Sequence, residues 1–385
     1  MTELTRKNGY EDNYPVKDSY KRHDPRGSTR VSTPRGYKTQ EGKKWRIEQE
    51  LPGFSLLDYA FRDAAYTANH QSNGEPEGMN RGYYSWSPLG VTHKPEDIPK
   101  WEAGPEETAR IISKAARYYG ALDVRFTEID ERWFFSHTKD GKPVVFEDAE
   151  TAHETDEKAV YPKSHRWAIV MTVPIDYEET QYTPTPLFAA GGMAYSRMHI
   201  LAGTVAEFIR GLGWNAVPSG NDMTMNVPMA LKAGIGHLGR MNRVISWQDG
   251  PLFKICKVFT DMPLPQSPQA DPGILEFCED CQKCSKHCPG DAIGPGPRSW
   301  DDPPGSNPGA FRWPCDEEKC RDYWDQVGTS CTVCYRVCAF AKKKGPVHDV
   351  VKWFIRNVPQ LNRLWAWSDD LMGYGEMKAP REYWD

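Results

Sequence analysis

Cys278-Glu279-Asp280-Cys281-Gln282-Lys283-Cys284-Ser285-Lys286-His287-Cys288-Pro289 spaces four thiols as C-x2-C-x2-C-x3-C and closes on a proline. About forty residues on, Cys331, Cys334 and Cys338 repeat the end of that pattern as C-x2-C-x3-C, with Cys320 upstream. Two [4Fe–4S] clusters need eight thiolates, and in two-cluster ferredoxins the fourth cysteine of each run ligates the other cluster. The spacing therefore assigns Cys278, Cys281, Cys284 and Cys338 to one cluster. Cys288, Cys320, Cys331 and Cys334 go to the other. Cys315 rivals Cys320 as the eighth ligand, and Cys256 reads as a buried, inert thiol.

Two other uses of cysteine fit less well. Disulfides suit small secreted scaffolds, whereas 385 residues can bury a core without staples. Zinc sites usually take two separate C-x2-C pairs or mixed Cys/His sets, not a triple run ending in Cys-Pro.

The length predicts two or three domains. A net charge of −5 gives no global case for nucleic-acid binding. Fourteen Trp, eighteen Tyr and fourteen Phe suggest a ring-lined interior, most of it ordinary core packing. Met1–Ser19 lacks the apolar stretch of a secretory signal, and no run is long enough to span a membrane. Residues 1–46 are polar and modestly basic, which predicts an extended arm over the surface.

Apolar periodicity predicts helices over Glu107–Tyr119, Thr185–Gly211 and Pro228–Ala233. Short apolar runs predict strands at Trp167–Val173, Arg243–Trp247 and Phe253–Thr260. Alternating helices and strands imply an α/β layer fold. Residues 128–165 are charged and turn-rich, like an insertion. Gly234-Ile235-Gly236-His237-Leu238-Gly239 reads G-x-G-x-x-G but follows a helix rather than a strand. That makes it a weak match to a dinucleotide turn. The expectation here is a glycine loop brought close to some large cofactor, with Gly234, Gly236, His237 and Gly239 as its contacts.

The combination resembles one family. Asn226-Val227-Pro228, then Ala233-Gly234-Ile235-Gly236-His237-Leu238-Gly239-Arg240, then Lys257-Val258-Phe259-Thr260-Asp261, precede the two cysteine blocks. Cys320-Arg321-Asp322-Tyr323-Trp324 leads into the second. This order is similar to that of the respiratory reductive dehalogenases over roughly residues 165–343. The resemblance implies a nitroreductase-like α/β (α+β) core holding a base-off corrinoid, followed by a ferredoxin-like domain with two [4Fe–4S] clusters. The absence of a D-x-H-x-x-G motif suits a cobalt without a protein ligand. The implied domains are an N-terminal arm and cap at 1–112, a corrinoid-binding core at 113–272 with the insertion near 128–165, the ferredoxin-like domain at 273–343, and a C-terminal capping segment at 344–385.

The resemblance further implies a catalytic Tyr with an Asn and a basic residue beside it. By spacing and context these are Tyr195, Asn221 and Lys254. The bland readings are a core tyrosine, a turn asparagine and a solvated strand-end lysine. Tyr83, Tyr84, Trp86 and Trp324 are weaker expectations for a substrate pocket. The implied reaction replaces carbon–halogen by carbon–hydrogen in small organohalides, with a membrane anchor protein and an upstream electron donor as partners and homodimerisation left open. No twin-arginine signal stands in this chain. The expected location is the outer face of the cytoplasmic membrane if such a signal precedes it, and the cytoplasm if the chain is complete. Relatives often have Cys-Pro where this chain has Cys338-Ala339, which leaves ligation unaffected. An epoxyqueuosine reductase would share such a core but needs a basic tRNA-binding surface. An electron-transfer subunit would account for the cysteines and leave the α/β portion unexplained.

Overall fold

The computed structural model describes residues 9–27, 39–69, 80–90, 96–270 and 273–385. Parts of the expected N-terminal arm, at 1–8 and 28–38, lie outside the described residues, as do residues 271–272 of the linker before the first cysteine block.

Two long apolar strands organise the core. β5 (Trp167–Pro174) and β9 (Phe253–Thr260) are buried along nearly their whole length. They sit at the centre of a four-stranded sheet, flanked by β1 (Asp123–Glu128) and β6 (Ala216–Ser219) in the order β1-β5-β9-β6. All three pairings are antiparallel. The fold is therefore the α+β form of the expectation, and its helices do not act as parallel crossovers. The Ala190–Gly211 helix packs on β5, β6 and β9, and the Pro105–Tyr118 helix on β1. The long helix opens later than its apolar pattern suggests because Pro184 and Pro186 hold the preceding chain out of the α region.

The segment read as an insertion supplies a second sheet, β2 (Val144–Glu147), β3 (His153–Glu154) and β4 (Ala159–Pro162), in the order β2-β4-β3. It is joined to the core by aromatic rings. Phe134 and Tyr161 lie 5.1 and 5.8 Å from Phe259 of β9, and Phe146 meets both. Its charged surface hid a buried ring cluster. The described part of the N-terminal arm straps this layer, with Arg22 donating to the carbonyls of Phe135 and Val144 at 2.5 and 2.9 Å.

The two cysteine blocks fold alike. Gln282, after Cys281, and Thr332, after Cys331, both take left-handed backbone at φ 53° and 57°. Each is followed by a single helical turn, Lys283–Lys286 and Val333–Arg336, and these two turns pack together. Arg240 fastens this half to the core. Its buried guanidinium donates to the carbonyls of Cys278 (3.0 Å), Glu279 (3.1 Å), Gly294 (3.1 Å) and Gly296 (2.5 Å). Of the C-terminal helices, Pro346–Asn357 and Asn362–Leu371, the second is pinned by a buried ion network in which its Asp369 meets Lys283 at 2.5 Å and Lys342 at 2.9 Å.

Candidate functional site

Three elements bring Tyr195, Asn221 and Lys254 to one place. Tyr195 stands on the Ala190–Gly211 helix, Asn221 in the loop after β6, and Lys254 on β9. Asn221 Nδ2 donates to the Tyr195 hydroxyl at 3.3 Å. Lys254 Nζ lies 4.5 Å from the centroid of the Tyr195 ring. All three are half-buried, so the hydroxyl is shielded yet reachable. A cation against the ring and an amide N–H on the oxygen both favour the phenolate over the phenol. That arrangement suits a tyrosine that gives up a proton.

The surroundings make this placement rigid. A Cβ on Gly220 would stand 2.0 Å from the Tyr84 hydroxyl, so the Ser219–Asp222 loop fits only as glycine there. Tyr84 is fully buried and stacks on His199 at 4.2 Å. His199 Nδ1 lies 2.8 Å from the Tyr195 carbonyl, and burial pulls its pKa down to about 4. His199 is thus a neutral packing group at physiological pH. Asp222 accepts from Ser219 Oγ at 2.8 Å and from Gly220 N–H at 2.7 Å. Burial raises its pKa, with Lys257 opposing. Tyr66 stacks on Tyr195 at 6.1 Å and had no signal in the sequence.

The pocket expectations separate. Tyr84 backs the loop rather than facing Tyr195. Tyr83 lies against Gly203, two turns along the helix, and Trp86 is buried in the core. Trp324 packs beside Cys331 and Val333, on the cysteine side of the molecule.

The glycine loop is closely packed by its own neighbours. A Cβ on Gly234 would meet the Pro268 carbonyl at 2.1 Å, on Gly236 the Ile245 carbonyl at 2.1 Å, and on Gly239 the Ile245 side chain at 2.5 Å. At these three positions the protein's own chain approaches closely enough to require glycine. His237–Leu238 (β7) pairs with Val244–Ile245 (β8) in a two-stranded hairpin. The Tyr14 hydroxyl lies 2.7 Å from His237 Nδ1 and accepts the Leu238 N–H at 3.1 Å.

The cysteines gather as two sets. Cys278, Cys281, Cys284 and Cys338 line one recess together with Arg240, Met241, Ile245, Phe277 and Phe340. The electrostatic neighbours of Cys334 are Cys331, Cys320 and Cys288, and those of Cys331 are Cys320 and Cys288. Cys315 sits in a bridge with Ile293, near Arg312 and near Arg243, which also lies against Cys334. Burial pushes the Cys281 thiol up to about 11 and those of Cys331 and Cys338 to about 12. Such sulfurs ionise when metal takes the proton's place. Among the described residues no three His, Cys, Asp or Glu side chains converge as a single metal ion requires; around a cubane each thiolate holds a different iron. The donor sets fit two [4Fe–4S] clusters.

Among the buried polar atoms of the described residues without a hydrogen-bond partner, which are spread through the molecule, are Trp133 Nε1, Thr224 Oγ1, Asn242 Oδ1, Arg312 Nε and Trp313 Nε1. Trp133 meets Tyr20 edge-on, the Tyr20 hydroxyl accepts from Asn307, and Asn242 donates to the Trp313 carbonyl. Stranded polar groups of this kind fit a large, amide-rich ligand such as a corrinoid.

No family model matches the chain. A tetrachloroethene reductive dehalogenase of Sulfurospirillum multivorans is 34% identical over 317 residues, covering 78% of this chain and 62% of that protein. A tetrachloroethene reductive dehalogenase of Desulfitobacterium hafniense is 31% identical over 377 residues, covering 88% of this chain and 68% of that protein. A solved reductive dehalogenase, described as B12-dependent, superposes with a TM-score of 0.70 at 20% identity, covering 95% of this chain and 49% of that one. The chain belongs to the reductive dehalogenase family. It spans about two thirds of the length of these two curated relatives and about half of the solved structure.

Proposed function

We propose that this protein reductively dehalogenates small organohalides, chlorinated hydrocarbons first among them. Two electrons and one proton convert R–X into R–H and halide. The observation that carries the reading is the convergence of Tyr195, Asn221 and Lys254 from three separate elements. Tyr195 supplies the proton from its hydroxyl. Lys254 and Asn221 stabilise the phenolate left behind, which matters because an unperturbed phenol, with a pKa near ~10, is a reluctant donor.

Cys278, Cys281, Cys284 and Cys338 hold one [4Fe–4S] cluster, and Cys288, Cys320, Cys331 and Cys334 the other. Thr224, Asn242 and Trp313, with Trp133 and Arg312, hold a base-off corrinoid through their unpartnered polar atoms. When bound, the corrinoid supplies the low-potential cobalt that breaks the carbon–halogen bond. The rings of Tyr66 and Tyr195 give the site an apolar wall that suits small uncharged substrates. No helix among the described residues is long and apolar enough to cross a membrane.

The test is anaerobic preparation with cobalamin, followed by metal analysis and tetrachloroethene turnover with a reduced dye as electron source. About eight irons and about one cobalt per chain, with turnover abolished by Tyr195→Phe at unchanged metal content, are expected. Iron without cobalt would sink the corrinoid, and a fully active Tyr195→Phe would sink the proton donor.

A further inference from the structure

We propose that Lys257 is a positioning residue that, through Asn226, fixes the direction of the hydrogen-bond chain ending on the Tyr195 oxygen. The inference rests on the reading of Tyr195 as proton donor. Lys257 is fully buried in the middle of β9, opposite Ser219 of β6. It lies three residues from Lys254, so the two side chains leave opposite faces of the sheet. Its Nζ donates to the Gly220 carbonyl at 2.5 Å and to Asn226 Oδ1. Asn226 Nδ2 donates to Asn221 Oδ1, and also to the Ile255 carbonyl at 3.1 Å. Asn221 Nδ2 then donates to the Tyr195 hydroxyl.

The direction of this chain follows from chemistry. An ammonium group has donors and no acceptor. The atom of Asn226 that faces Lys257 must therefore be its carbonyl oxygen, which turns the Asn226 NH2 toward Asn221. Asn221 must meet that NH2 with its own oxygen, which turns its NH2 toward Tyr195. Asn226 is held this way at both ends, since the Ile255 carbonyl met by its Nδ2 can only accept. Asn221 faces the Asn226 amide and the Tyr195 hydroxyl, so its own orientation, which an amide's outline leaves open, follows from Asn226. The consequence falls on the proton. An N–H pointing at the phenol oxygen leaves the phenol hydrogen to point elsewhere and stabilises the phenolate. With both amides reversed, the Asn221 oxygen would bind the phenol hydrogen and withhold it from substrate.

Other charged or titratable groups near Tyr195 are Lys254 on its ring, Tyr66 stacked on it, Arg62 over Tyr66 at 5.3 Å, His199 on its carbonyl, and Asp222 behind Gly220. None of them sets the orientation of Asn221.

The experiment uses the loaded enzyme with Lys257→Met and, separately, Asn226→Ala, which keeps the lysine and removes the link. Tyr195 ionisation is followed by ultraviolet tyrosinate absorbance, taken as the difference between each variant and the same variant carrying Tyr195→Phe. Both variants should shift Tyr195 ionisation to higher pH and slow turnover about tenfold, the scale of one hydrogen bond to a developing charge. The high-pH limb of activity should move with the absorbance. If Lys257→Met fails to fold, Asn226→Ala decides alone. Tyr195 ionisation unchanged in the folded variants would overturn the proposal. An active Tyr195→Phe would overturn the donor reading separately, because the absorbance shift is read without turnover.

Discussion

Replacing Lys254 by Met should make the enzyme slower while extending its activity to higher pH. The ammonium lies 4.5 Å from the centroid of the Tyr195 ring. At an effective dielectric of ~20, unit charges at that distance attract by about 4 kcal/mol. Lys254 is half-buried, and solvent reaches it. With dielectrics of ~40 to ~80 the attraction drops to about 1–2 kcal/mol. One pKa unit corresponds to about 1.4 kcal/mol, so the change is about one unit in phenol acidity and about tenfold in rate. The sign follows from the donor role. The cation favours the phenolate, so removing it weakens the acid and lowers the plateau rate. The same loss keeps Tyr195 protonated to higher pH, so the alkaline limb moves up by about one unit. The assay is turnover against pH with the metal content of the variant matched to the parent. A reduced plateau with an unmoved alkaline limb would refute the argument, because it would place Lys254 on substrate or packing rather than on the tyrosine.

Three further outcomes are expected. Cys320→Ser should halve the iron to about four per chain, as loss of one cubane requires, whereas Cys315→Ser should leave it unchanged; the reverse result would exchange their assignments. Asp369→Ala takes the shared carboxylate from buried Lys342 and from Lys283, which keeps Asp370 at 3.1 Å, and should destabilise the fold by about 3 kcal/mol, the low end for breaking a buried pair, so an unchanged anaerobic unfolding midpoint would argue against a structural network. His199 binds its proton more weakly folded, near pH 4, than unfolded, near ~6.5. The unfolded state therefore takes up the proton first as pH falls. Stability should drop on the order of 3 kcal/mol between those values, and denaturation of His199→Gln should lack that slope.

How much of this was legible in the sequence depended on whether a residue's role is local. The first C-x2-C-x2-C-x3-C run is local, because a single helical turn after a left-handed residue sets its spacing, and the second block repeats that device. β9 was legible to the residue, since an apolar run between turn signals has little else to do. The direction of strand pairing was not legible, because alternating helices and strands fit parallel and antiparallel sheets alike. The glycine loop was legible only in part, for a related reason. Glycine spacing reports that something comes close, but not whether it is a ligand or the chain's own Ile245 and Pro268. Tyr66 left no signal, since only tertiary packing brings it to Tyr195.

Lys257 lies between these cases. A lysine flanked by Cys256 and Val258 in an apolar strand is itself a signal, because burying an ammonium is costly without partners. The sequence therefore posed a question, and only the folded chain could name the partners. The structure answers with Gly220, next to Asn221 in its loop, and Asn226, the first residue of the helix that follows that loop. The cost of burying Lys257 is offset in the segment that also presents an amide to Tyr195. β9 thus carries one lysine against the ring of Tyr195 and another behind the asparagine on its oxygen. A shift in the register of this strand would disturb both contacts at once, so the strand's pairing with β5 and β6 is part of what holds the site.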